Sequence, residues 1–341
     1  MQKVIIDSDW GGDVLQLSSI LLARPDTYKI LGATVTFGNS VHDQNLRNAG
    51  SMLRLLNVDH AVPRFPGARA PSDAEAQPEG DGAHGTTGLG AVEPELSPYP
   101  AETKKSVDFI LETLAAEPAN TVTIIATGPQ TNIAKAIQRN RGTMQRAKEI
   151  RIMAACTAPI SGYRVDKDLN RLSEEPIQRW GNITEYAEFN FQQAPKDAQT
   201  VLESGIPVIL FPMNCTHQMT FTDARKAKLG AAFKDAGPIK EAVIGLHEAA
   251  RVIDRQKFEI DPTLHDVHTT VSMVNPACYK GRWGTVSIVT DPEDPKMGYT
   301  SFTPDVEGHH WVAEQITQPD LAFEILVDAL KRTIRRETAL T

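Results

Sequence analysis

The segment Lys3-Val-Ile-Ile-Asp7-Ser-Asp9-Trp-Gly11-Gly12-Asp13 constrains this chain more than any other. Its β-branched run predicts a buried strand, which ends in three acids separated by a glycine pair. Behind it Val14, Leu15, Leu17, Ile20, Leu21 and Leu22 recur roughly at helical spacing, so the unit is strand, turn, helix. In an open α/β sheet, ligands bind in the crevice beyond the carboxyl ends of the strands. Carboxylates crowded at such an end repel one another and are costly to desolvate unless a cation, a proton or a hydroxyl-rich ligand joins them. The turn therefore reads as the floor of an active site.

The same alternation recurs downstream. A strand over 29–36 closes in Phe37-Gly38-Asn39, and a helix over about 43–56 and a short strand near 61–63 follow. Residues 64–100 lack periodicity, and His84-Gly-Thr-Thr-Gly88-Leu-Gly90 within them suits a mobile lid. A helix (about 104–116) then leads to the strand 121–126 and to Thr127-Gly-Pro-Gln-Thr131-Asn132, which opens another helix. The strand 149–153 precedes an irregular charged insert, 158–180, whose acids and arginines read as solvated surface. Next come Asn182 to Asn190, a helix near 194–202, a strand over 207–211 ending in Met213-Asn214-Cys215-Thr216-His217, and helices near 222–232 and 238–254. His265-Asp266 is expected to open a further helix, before a strand near 285–289 and a last helix over 320–335. The expected fold class is α/β, a doubly wound, mostly parallel sheet with helices on both faces, in one domain over 1–341.

A parallel sheet puts the carboxyl ends of its strands on one edge, so Asp7, Asp9, Asn39, Thr127 and Asn214 are expected to face one crevice. The alternatives are local. Thr131 and Asp266 could be helix N-caps, and Asn39 a turn residue. Trp10 either stacks on a base or packs against the sheet. His217, His268, His309 and His310 read as structural.

Composition excludes several classes. A net charge of −8 with no basic run argues against nucleic acid or an anionic membrane as partner. Three well-separated cysteines, Cys156, Cys215 and Cys278, fit a reducing compartment. No leader precedes the first strand and no apolar run is long enough to span a bilayer, so a cytoplasmic location is expected.

Taken together, Asp7-x-Asp9-x-Gly11-x-Asp13, Phe37-Gly-Asn39, His84-Gly, Gly88-Leu-Gly, Thr127-Gly-Pro-x-Thr-Asn-Ile-Ala134, Gly181-Asn182, Ala187-Glu188-Phe-Asn190, Asn214-x-Thr-His217 and His265-Asp266 resemble, in order, the inosine-uridine nucleoside hydrolase family. That resemblance implies a Rossmann-like fold and calcium-dependent hydrolysis of an N-riboside, with a small-molecule nucleoside as partner and a homodimer or homotetramer as assembly. It implies Asp9 as calcium ligand and general base, with the Thr127 carbonyl and the Asp266 carboxylate completing the protein ligation. Asp13, Asn39, Asn182, Glu188 and Asn190 would hold the ribose, and His265, with His84 from the lid, would sit near the departing base.

The departures from the family pattern are local. Val14 stands where the signature has a second consecutive aspartate, a calcium ligand, and Trp10 where it has proline. Ala154-Ala155-Cys156 replaces a glycine run, and Asn214 replaces an aspartate common in the family. Losing the carboxylate at position 14 is expected to weaken calcium, since calcium takes ~6–8 oxygens and its affinity follows ligand charge. A nucleoside- or ribose-binding paralogue with a degraded calcium site is thus the alternative to an enzyme. A dehalogenase-like phosphatase is a third reading, opposed by Trp10-Gly11 and by the lack of a later Asp-Asp pair.

Overall fold

The computed structural model describes residues 1–78, 85–234 and 238–338. Its centre is a run of parallel strands: β1 (Gln2–Ser8), β2 (Tyr28–Val35), β3 (Arg64–Pro66), β4 (Val122–Ala126) and β5 (Glu149–Met153). A small antiparallel pair, β6 (Ile160–Gly162) and β7 (Ile177–Arg179), stands apart from them. The main sheet continues with β8 (Val208–Phe211), β9 (Tyr279–Ile288), β10 (Thr300–Pro304) and β11 (His310–Ile316). Its order is β10-β9-β11-β8-β5-β4-β1-β2-β3.

All pairings from β3 through β8 to β11 are parallel, and β9 and β10 add an antiparallel edge. The connection order reverses between β1 and β4. In an open α/β sheet that reversal opens the crevice where ligands bind.

Successive residues of β1 serve opposite faces. Val4 and Ile6 pack with the helices Asp13–Leu22 and His42–Leu55 and the C-terminal helix, while Ile5 packs with the helices Ser106–Ala116, Thr131–Arg139 and Pro195–Leu202. That period-2 division puts apolar layers on both faces, the doubly wound arrangement the sequence predicts. No helix among the described residues is long and apolar enough to cross a membrane.

Several expected elements differ. The short third strand lies at Arg64–Pro66 rather than 61–63, because residues 64–66 register against Ala33–Val35. The helix expected over 238–254 is two, Pro238–Glu248 and Arg251–Phe258, and the helix after His265-Asp266 starts only at His268. The edge strands β10 and β11 and most of β9 have no counterpart in the expected elements. The insert is not simply solvated surface. Its Arg179 is buried and donates to the carbonyls of Tyr163, Gly181 and Thr184.

The Gly88-Leu-Gly90 end of the expected lid is anchored. Leu89 is buried in the core, Ser40 donates to the Thr86 carbonyl and Asn48 to that of Thr87. His84 lies outside the described residues.

Candidate functional site

At the end of β1 the chain turns through Trp10, which has φ +42° although it is not glycine. Its indole is fully buried and donates to the Thr34 carbonyl, so Trp10 packs against the sheet and does not offer a stacking face. Burial of that ring offsets the strain of the left-handed backbone. The Asp9 carboxylate is 2% exposed, and its Oδ2 accepts the Asn39 N–H at 2.8 Å. Gly38 makes this approach possible: its φ is +144°, and a Cβ there would fall 2.2 Å from Asp9 Oδ2. At the end of β4, a Cβ on Gly128 would fall 2.7 Å from the Asp9 backbone nitrogen.

Asp7 belongs elsewhere. Its Oδ1 accepts the Thr34 hydroxyl and the Asn132 side-chain amide at 2.5 and 2.8 Å, while Asn132 also bonds the Val35 carbonyl and the Ala68 N–H. Asp7 thus ties β1, β2 and the helix Thr131–Arg139 together beneath the site. Only two of the three acids of the first turn, Asp9 and Asp13, join the site.

One cavity of about 480 Å³, its mouth included, lies over this corner. Asp13, Asn39, Thr127, Asn182, Glu188, Asn190, His265 and Asp266 line it, with Met153 and Phe189. Asp9 sits just beneath, close enough that its charge and that of Asp13 act on Asp266. The capping alternatives fail. Thr131 donates to Asp197, and the helix at His268 has Val267, not Asp266, at its N-cap. Asn214 stays out of the cavity and accepts the Thr157 N–H.

The polar residues are oriented by the backbone. Glu188 accepts three backbone N–H groups, from Ala155, Asn190 and Phe191. Asn182 commits its Oδ1 to the Phe189 N–H, which leaves its amide N–H groups as donors. Asn190 commits an amide N–H to the Met153 carbonyl, which leaves its Oδ1 as acceptor. The His265 ring is held by a 2.7 Å contact between Nδ1 and the Thr216 hydroxyl.

Electrostatically the corner is poised near neutrality. Burial pushes Asp9 up to about 7, against the Asn39 N–H and helped by the charge of Asp13. Burial pushes Glu188 up to about 7 as well, although three N–H groups pull it down. Asp266 is raised well above the usual carboxylate range by burial, then by the charges of Asp13 and Asp9.

Asp7 is likewise pushed up to about 7 by burial, and this has a measurable sign. The folded protein holds a proton there that the unfolded chain releases near pH 4, so stability from this group is lost as pH rises toward 7. Asp7→Asn escapes that loss. Its stability relative to the parent is expected to rise by about 1.4 kcal/mol per pH unit between pH 4 and 7, then level off. Urea unfolding of both proteins at pH 5, 6, 7 and 8 reads this out, and a constant difference would contradict it.

The donor set is hard oxygen, the kind a divalent cation takes, but it is short in number. Among the described residues no three Asp, Glu, His or Cys groups stand close enough to hold a metal ion. Val14 is 1% exposed and packs in the apolar core. Asp9, Asp266 and the Thr127 carbonyl fall well below the ~6–8 oxygens calcium takes. These residues do not make the calcium site that the resemblance implies.

Sequence reasoning missed Met153 and Phe189. Met153 ends β5, so its place at a strand's carboxyl end was a usable signal. Two of the histidines read as structural are held by hydrogen bonds: His268 bonds the Tyr279 hydroxyl, and His310 bonds the Val286 N–H and the Leu202 carbonyl, whereas the buried His217 Nε2 finds no partner among the described residues.

Comparison with known proteins follows the same lines. A family model described as inosine-uridine preferring nucleoside hydrolase matches residues 4–328. An uncharacterised protein of Schizosaccharomyces pombe is 33% identical over 293 residues, covering 85% of this chain and 86% of the relative. The pyrimidine-specific ribonucleoside hydrolase RihB of Escherichia coli is 27% identical over 238 residues, 70% of this chain and 68% of its own. Among solved structures, the plant nucleoside hydrolase PpNRh1 superposes with a TM-score of 0.81 at 23% identity, covering 97% of this chain and 99% of that one.

Proposed function

The chain belongs to the inosine-uridine preferring nucleoside hydrolase family, and from that premise we propose that its switch-point cavity cleaves the N-glycosidic bond of a ribonucleoside with water. The observation that carries this reading is the convergence of Asp13, Asn39, Asn182, Glu188, Asn190, His265 and Asp266 on one cavity above Asp9. A ribose diol needs alternating acceptors and donors. Asp13, Glu188 and Asn190 Oδ1 supply acceptors, and the amides of Asn39 and Asn182 supply donors.

Asp9 takes a proton from water as the oxygen attacks the anomeric carbon. The carbon–nitrogen bond breaks, its electron pair goes to the base, and His265 returns a proton to the base nitrogen. The sugar passes through an oxocarbenium-like state, and the surrounding carboxylates stabilise its positive charge. The Thr216 hydroxyl positions the ring at Nδ1, and a proton on the His265 Nε2 leaves with the base. No step is routed through calcium, because the donor set does not fit it.

Incubation of the purified protein with inosine and uridine, with free ribose quantified, tests the reading. Ribose release that depends on Asp9 supports it. Nucleoside binding without release would favour the binding paralogue, the reading that the apolar Val14 favours.

Metal dependence has its own test. Calorimetric titration is expected to show no calcium binding tighter than about 1 mM, weaker than sites built with a full carboxylate set. Val14→Asp places a carboxylate in the core. In chelator it is expected to destabilise the fold by about 3 kcal/mol, and added calcium should restore melting in the variant alone. Micromolar calcium binding by the parent would contradict the donor count.

A further inference from the structure

Asp13 opens the helix Asp13–Leu22 and lines the ribose cavity from its first turn. One turn on, the Gln16 amide nitrogen donates to Asp13 Oδ1 at 3.1 Å. Side chains three apart on a helix share a face, so the pairing follows from the spacing. Only one orientation of the amide fits. An ionised carboxylate can only accept, so Nε2 and not Oε1 meets it.

Gln16 is a costly residue for this place. It is fully buried, and its chain neighbours Val14, Leu15 and Leu17 are each at most 1% exposed. Its Oε1 is buried with no hydrogen-bond partner among the described residues. Fixing a glutamine side chain and leaving its carbonyl oxygen unsatisfied both disfavour the folded state. Methionine matches glutamine in length and helix propensity, and it fills packed interiors without a strongly polar atom. Stability therefore gives no reason for an amide at this position.

The cavity does give one. Glu188 is oriented by backbone N–H groups and Asn190 by the Met153 carbonyl, whereas Asp13 receives a donor from a side chain that burial itself holds in one conformation. A carboxylate tied at Oδ1 cannot turn about its last bond without losing that donor, so its second oxygen keeps one direction. We propose that Gln16 is a positioning residue: its amide fixes the Asp13 carboxylate in the orientation that binds a ribose hydroxyl, at the expense of the fold. The inference rests on the ribose lying against Asp13, as proposed above.

Gln16→Met removes the donor and keeps the length. It is expected to melt at the parent temperature or above, while kcat/KM for uridine falls by about 30-fold, since a small misplacement of a positioning group can cost about 100-fold. The loss should be confined to one hydroxyl. Of 2′-deoxyuridine and 3′-deoxyuridine, the one lacking the hydroxyl that Asp13 holds should change by less than about twofold between parent and Gln16→Met, and the other should lose as much as uridine does. In an Asp13→Ala background, adding Gln16→Met should likewise change uridine turnover by less than about twofold.

Parent-like uridine turnover in Gln16→Met, an equal loss on all three nucleosides, or the same loss in the Asp13→Ala background would overturn the assignment. So would a clear drop in melting temperature in both Gln16→Met and Gln16→Leu, which would make the amide part of the fold. If the parent hydrolyses none of the three, the hydrolytic reading fails by itself. Calorimetric affinities for the same nucleosides then judge Gln16, with the same pattern expected, and a parent that does not bind them either removes its role.

Discussion

Asp9→Asn is expected to lower kcat for ribose release by about 10³-fold while leaving the fold at least as stable as the parent. A positioned general base is typically worth ~10²–10⁴ in rate, and asparagine cannot take a proton from water. The substitution is nearly isosteric. Asparagine Oδ1 still accepts the Asn39 N–H that Asp9 Oδ2 accepts at 2.8 Å. It also removes a carboxylate that is 2% exposed and has acids for neighbours. Because burial raises Asp9 to about 7, the base is lost to protonation below neutrality. The parent's kcat/KM should therefore fall by tenfold or more per unit as pH drops below about 7, and the variant's residual rate should keep only the shallower limb left by Glu188 and Asp266. A variant that keeps a tenth of the parent rate would remove Asp9 from the chemistry.

Glu188→Ala is expected to damage stability and activity together. Glu188 satisfies the N–H groups of Ala155, Asn190 and Phe191 at 2.8, 3.0 and 3.2 Å, and alanine leaves all three without this acceptor in a buried corner. Each orphaned donor costs about 1–3 kcal/mol, so unfolding free energy should fall by about 3 kcal/mol or more. Ala155 adds to the effect. It stands at φ +71°, a left-handed conformation that alanine adopts only when surrounding contacts hold it, and its bond to Glu188 is one of them. Asn190 is also released from its place beside the sugar, so kcat/KM should fall by more than about 100-fold, beyond what lost stability explains at temperatures where the variant remains folded. Denaturant unfolding and steady-state kinetics on one preparation check both parts. A change of less than about 1 kcal/mol would mean that the three N–H groups find other acceptors.

The sequence was informative where chemistry is local to a strand end. The Asp9 turn, Phe37-Gly38-Asn39 and Thr127 each follow an apolar strand, and a parallel sheet gathers such ends on one edge whatever its full topology, while the Glu188–Asn190 block opens a short helix and was legible only through the family resemblance. Asp7 and Asp9 looked alike because both end the first strand. What separates them is Thr34 and Asn132, partners supplied by other elements. The β9–β11 edge was hard to see for a different reason. Lys280, Arg282 and Trp283 break its apolar pattern, and Gly281 and Gly284 sit where neighbouring backbone leaves no room for a Cβ. Residues 238–258 line the space beside the ribose cavity, but their pattern is that of core packing, so no single residue among them stood out. Arg179 was misjudged on the same grounds, because a charged residue in an irregular segment reads as surface until its carbonyl partners are in place.

A crystal structure of Asp9→Asn with intact inosine tests the central claim most directly. The account predicts ribose hydroxyls within hydrogen-bond reach of Asp13, Glu188 and Asn190, the anomeric carbon facing residue 9, and the base toward His265. A nucleoside seated elsewhere, or a ribose turned away from those acids, would contradict it.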